Sequence, residues 1–184
     1  MKKLCGVIAL TFLSVSCSQG QPQNTETATT PGAAEFEPRP HANLAQLMRG
    51  IPFPASNIIF DAQSEDPGAA KEPADTSGGA TATYSNVYGG WQAVENSALA
   101  LAETANLIMI PGRMCENGRP APIDNEDYRK FAANLADAGM AALKAAQSRD
   151  MDAMVDVSGT VSEACAMCHE VYRDKDDLMQ RCIP

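Results

Sequence analysis

Several things are scarce in this chain, and each shortage narrows what it can do. Basic residues are outnumbered, 14 Lys and Arg against 23 Asp and Glu, for a formal charge of −9. A surface of that sign repels phosphate backbones, so nucleic acid is excluded as a partner and basic docking proteins are favoured. Long apolar runs are missing: the best, "LCGVIALTFLSVS", is too short to span a bilayer comfortably. No alternating apolar run marks a strand, and no internal repeat is visible. Neither a nucleophile paired with a base nor an acid–base pair stands out, which speaks against an enzyme. Histidine is reduced to His41 and His169, and there is no second short cysteine pair of the kind a zinc site commonly uses.

What is present divides the 184 residues into three parts. Residues 1–16 read as an export signal, with Lys2 and Lys3 ahead of the apolar core and small residues before Cys17. Loss of the two lysines with the signal takes the charge to −9 − 2 = −11. Export implies a periplasmic compartment in which disulfides survive. "LSVSC" resembles the cleavage box of bacterial lipoproteins, although Leu13 lies four positions before the cysteine where three is usual, and ordinary cleavage near Ser16 fits as well. Lipidation of Cys17 is favoured, because otherwise the mature chain would begin with a spare thiol. Residues 17–38 are polar and hold Thr and Pro, the composition of a flexible tether. Behind a lipidated cysteine, that tether would anchor the protein to a membrane.

Residues 39–184 read as helical. In "WQAVENSALALAETANLIMI" the apolar positions Trp91, Val94, Ala98, Leu101, Ala105 and Ile108 recur at helical spacing and define a packing stripe. Pro111-Gly112 ends that helix. Asp124 is placed to cap the next one, whose stripe runs Tyr128, Phe131, Leu135, Ala138, Ala142 and Ala145; so many alanines require a bulky or close-packed neighbour. A short connection near Ser148 makes the last helix antiparallel to it. Met154, Val157, Val161, Cys165, Cys168 and Tyr172 continue one face, which points the cysteines into the bundle. Leu44, Leu47, Met48 and Ile51 suggest a first helix that Pro52 and Pro54 must kink or interrupt. Residues 63–87, rich in Pro, Gly, Ala and Thr, form a long loop. The expected fold is an all-α antiparallel four-helix bundle.

The chemistry concentrates in "EACAMCHEVYR". Cys165 and Cys168 share a helical face, where each can form a thioether with a haem vinyl group, and His169 follows to ligate iron. C-x-x-C-H is a c-type haem attachment signal, and export makes it specific here. Two alternatives fit the residues less well. A composite zinc site lacks its second short pair, and a redox C-x-x-C would head a helix in a βαβ unit rather than lie inside one. The loop after the second helix and the end of the fourth meet at one end of such a bundle, so Cys115 and Cys182 are expected to form a disulfide.

With the motif on its last helix, the chain resembles the class II c-type cytochromes, the cytochrome c-prime family, over about residues 41 to 178. That resemblance implies one covalent haem c held by Cys165 and Cys168, with His169 as proximal ligand and Arg173 near the haem. It also implies redox partner proteins and leaves a homodimer open. Low-spin relatives add a distal methionine from early in the first helix, here Met48; others leave the position open and bind gases such as nitric oxide. The expected function is therefore single-electron transfer, with a gas-binding haem module as the alternative. His41 and Met114 are lesser candidates for the distal place, and Arg113 and Arg119 for pairing with haem propionates. The prolines, the long loop and the extra cysteines depart from the family pattern.

Overall fold

A computed structural model describes residues 37–69 and 89–184, of which Glu37–Pro184 belongs to one compact unit. The export signal, Cys17, the tether as far as residue 36 and most of the 63–87 loop lie outside the described residues. Among the described residues there are five α-helices, one short 3-10 turn and no strand. They are α1 (Leu44–Gly50), α2 (Pro52–Asp61), α3 (Gly90–Ile108), α4 (Glu126–Ser148) and α5 (Met151–Tyr172), with the 3-10 turn at Leu178–Gln180. None is long and apolar enough to cross a membrane.

The first arm of the bundle is split, as its prolines require. Asn43 and Gln46 form a reciprocal capping box that starts α1. Pro52, which has no N–H to continue the ladder, instead opens α2 at its first position, where a missing donor costs nothing. Ile51 is the joint between the two: its N–H still donates to Leu47 O at 3.0 Å, while its own carbonyl accepts from Ala55 N at 3.1 Å.

Contacts between distant residues fix the antiparallel order. Tyr128 at the start of α4 lies against the end of α3, its hydroxyl donating to Ile108 O at 3.5 Å. The same end of α4 meets the end of α5, where Tyr172 Oη donates to Asp127 Oδ1 at 2.5 Å. Ser158 of α5 reaches Ile59 O of α2 at 3.4 Å while also donating to Met154 O at 2.8 Å. The expected four-helix bundle is thus observed, with α1 and α2 together as one arm.

Close packing answers the question raised by the alanines of α4. An added Cβ on Gly139 would stand 2.7 Å from Ala102 N and 2.9 Å from Ala98 O, so α3 and α4 touch backbone to backbone. Rigid main chain cannot give way as a flexible side chain could. Gly139→Ala should therefore cost about 1–3 kcal/mol by overpacking, despite alanine's better helix propensity. Urea unfolding measures this, and an unchanged or raised midpoint would show that the two helices separate more easily than the structure implies.

Two details differ from the sequence expectation. The N-cap of α4 is Asn125, not Asp124, and no side chain caps it. Asn125 Nδ2 donates instead to Tyr172 Oη at 3.3 Å, so a tertiary contact holds the side-chain amide. Arg113 is buried rather than free to pair with a ligand: its Nε donates to Leu107 O at 2.8 Å and its Nη1 to Ala42 O at 2.6 Å. It ties the residues before α1 to the end of α3.

Candidate cofactor cleft

The helix order brings α1 and α2 across from the second half of α5, and a cleft of about 450 Å³ opens between them. That lies within the usual range of ligand pockets, roughly 300–1,000 Å³. Cys165, Cys168, His169 and Arg173 line it from α5, and Met48 from α1. Residues separated by more than 115 positions in the chain, Met48 and Cys165 among them, therefore face a common space. His41 and Met114 are exposed and do not line it, nor does Arg119.

The walls are largely apolar and come from two hydrophobic clusters. The larger, around Ile59, Leu101, Met154 and Val161, carries Cys165 on its flank. The smaller, around Leu47, Ile108, Tyr128 and Tyr172, carries both Met48 and Cys168. The two thiols thus straddle the junction of the clusters. Tyr128 and Phe131 meet Tyr172 edge-on, at centroid distances of 5.4 and 6.3 Å, and stiffen that end. Phe53, 66% exposed, stands at the rim, and Phe60 lines the cleft one face-repeat further along α2.

The cysteines face the bundle, as the helical stripe implies, Cys165 packing against the larger cluster and Cys168 against the smaller, and both also border the cleft. Both are half-buried and neither is disulfide-bonded. Burial pushes both thiols upward, Cys168 to about 11 with help from neighbouring Cys165 and Asp127. An upward shift disfavours the thiolate, the opposite of the lowered thiol pKa that a redox C-x-x-C uses. Burial, reinforced by Arg173, lowers the pKa of His169, so its imidazole is neutral with a lone pair free to ligate. Among the described residues no three His, Cys, Asp or Glu side chains converge as a structural zinc site needs.

One end of the cleft is polar. Arg49 Nη2 lies 3.1 Å from Glu116 Oε1, and Arg181 Nη1 lies 2.9 Å from Glu116 Oε2. The Arg49 hydrogen bond is the main reason why the Glu116 carboxyl sits below its usual range. Arg173, by contrast, is mostly exposed and pairs with the adjacent Asp174 at 3.2 Å. Cys182 also lines the cleft and is joined to Cys115 by a disulfide, with Cα atoms 6.6 Å apart.

Sequence reasoning had not singled out Phe53, Phe60, Arg49, Glu116 or Arg181. The seven-residue spacing of the two phenylalanines was a usable signal, since it puts them on one helical face. The Arg49–Glu116–Arg181 group left none, because its members come from three separate segments. Comparison with family models, with curated proteins and with solved structures returned no match.

Proposed function

We propose that the protein is an exported c-type cytochrome with one covalent haem, carrying single electrons between redox partner proteins, and not an enzyme. The observation that carries this reading is the common cleft: the C-x-x-C-H of α5 and Met48 of α1 line the same largely apolar space. When bound, the haem supplies an iron that cycles between ferric and ferrous forms.

The chain's own residues fit that group in four respects. The two thiols are free, protonated and on one face of one helix, as two thioether attachments need. His169 is neutral and adjacent to them, ready to donate a lone pair to the iron. Apolar and aromatic walls exclude water from a flat ring and keep its environment of low polarity, which helps to set a potential. The Nε of Arg181, shut off from solvent, has no hydrogen-bond partner among the described residues, as expected of a donor awaiting a ligand. Met48, which lines the same cleft as His169, would be the second side chain to hold the iron, and its thioether would raise the potential relative to an open site. Cys17 lipidation would tether the domain to a membrane.

The test is an absorption spectrum of protein matured in a periplasm, in both oxidation states and after conversion to the pyridine haemochrome. A covalent haem c signature is expected, with a six-coordinate low-spin spectrum that Met48→Ala converts to five-coordinate high spin. Absence of covalent haem sinks the proposal. A wild-type protein that is already five-coordinate, and takes up nitric oxide or carbon monoxide, would replace electron transfer with gas binding.

A further inference from the structure

We propose, resting on the haem reading above, that Arg181 and Arg49, bridged by Glu116, are the carboxylate-binding end of the cleft. They would take the propionates of the haem, and the Cys115–Cys182 disulfide would hold Arg181 in place for it.

Charge is the first argument. The chain as a whole carries −9, yet the charged side chains lining the cleft beside His169 are three arginines and one glutamate, a local +2. A reversal of sign at one opening of an acidic protein suits an anionic ligand group. Unused bonding capacity is the second. Glu116 engages Nη1 of Arg181 and Nη2 of Arg49. The Nε of Arg181 is buried and has no hydrogen-bond partner among the described residues, a costly state for a guanidinium donor unless a further acceptor arrives. A carboxylate is the acceptor that a guanidinium edge matches best.

Placement is the third. Arg181 stands on a segment pinned at several points. Asn117 Nδ2 donates to the carbonyls of Arg181 and Leu178, both at 3.0 Å, and Cys182 N donates to Tyr172 O at 2.8 Å. The disulfide joins this segment to the loop that bears Glu116, so one covalent link sets both partners of the ion pair. Tyr172 lies one turn beyond His169, which keeps the arginine at the iron-ligand end of α5. Such pinning favours a fixed ligand over a docking protein. A docking surface would rely on protruding charges; Arg173 and Arg49 are 60% and 70% exposed against 34% for Arg181, so Arg181 is the fixed anchor and Arg49 joins it from the rim through Glu116.

Potentiometry of the matured holoprotein between pH 5 and 8 tests the assignment, with R181Q, R49Q and R181K beside wild type. Anchored propionates stay ionised across that range, so the wild-type potential should be nearly flat. Removing either arginine takes positive charge from beside the iron and stabilises its ferric form. R181Q and R49Q should each lower the potential and introduce a pH-dependent rise on the acid side as a released propionate takes up a proton. R181K, which keeps the charge, should recover most of the wild-type profile. Potentials and pH profiles identical in all four proteins overturn the anchor while leaving the cytochrome reading intact. The anchor falls too if the variants change only the salt dependence of electron exchange with an added donor, because the arginines would then serve docking. Failure of R181Q to mature supports the anchor if R181K matures normally and overturns it if R181K fails as well. A wild-type protein without covalent haem removes both readings together.

Discussion

Cys165→Ala together with Cys168→Ala is expected to reduce covalently attached pigment to background while leaving the helical fold in place. The two thiols sit on one face of α5, and among the described residues they are the only cysteines outside the disulfide. No other side chain at the cleft can form a thioether, so nothing can substitute for them. The fold should tolerate the change because both positions are half-buried and flank the two hydrophobic clusters rather than centre them. Alanine also keeps the helix propensity high. Haem staining of a denaturing gel reads the attachment, and far-ultraviolet circular dichroism reads the fold. Each single variant should retain part of the stain through its remaining thioether. Pigment that survives denaturation in the double variant would mean that attachment lies elsewhere in the chain.

The second large effect concerns the disulfide. Cys115 and Cys182 are 67 positions apart, and closing a loop of that length constrains the unfolded chain by about 4 kcal/mol on the entropy model. Natural domains hold only about 5–15 kcal/mol in total, so this is a large share. Replacing both cysteines by serine, or reducing the bond, should lower the melting temperature by on the order of 10 °C for a domain of this size. The loss should also reach the cleft, because the bond carries Arg181 and Glu116 and because Cys182 itself lines the space. Reduced and oxidised wild-type protein, compared by urea unfolding, give the direct measurement. Coincident transitions would show that the bond adds nothing to stability, and that the hydrogen bonds around Asn117 suffice to hold the segment.

The two variants separate the roles of four cysteines with similar burial-driven reasons to be retained. The free thiols Cys165 and Cys168 and the disulfide-bonded Cys182 line the same cleft, so the two sets of variants read out the two cysteine pairs independently.

Much of the bundle was legible because its signals are local. The stripe from Val94 to Ile108 is helical at any tertiary arrangement, since a period near 3.6 residues has only one periodic solution for its apolar face. The break at Pro52 follows from a missing N–H, and the start of α5 at Asp150 from a side chain that accepts from Asp152 N and Ala153 N. Helix order and a two-residue connection between α4 and α5 then fixed which ends meet, and with them the nearness of Cys115 to Cys182. The grouping of Cys165, Cys168 and His169 was likewise written in consecutive residues.

Other choices depended on partners far along the chain. Asp124 and Asn125 are both competent caps, and only the arrival of Tyr172 some 47 residues later decided what Asn125 does. Arg113 is a candidate partner for a propionate on sequence alone, and only the segment before α1, which offers it the Ala42 carbonyl, takes it out of that role. That the cysteine face also borders a cleft depends on how α1 and α2 lie across from α5, which no periodicity encodes. Arg181 became a cleft residue only through a disulfide and an ion pair to Glu116, 65 positions away. By itself, then, the sequence determined the helices, their order and the haem-type motif, because backbone hydrogen bonding and side-chain periodicity act over a few residues. The tertiary structure decided the shape of the cleft and the charge at its mouth, because both arise where segments distant in the chain exclude water together.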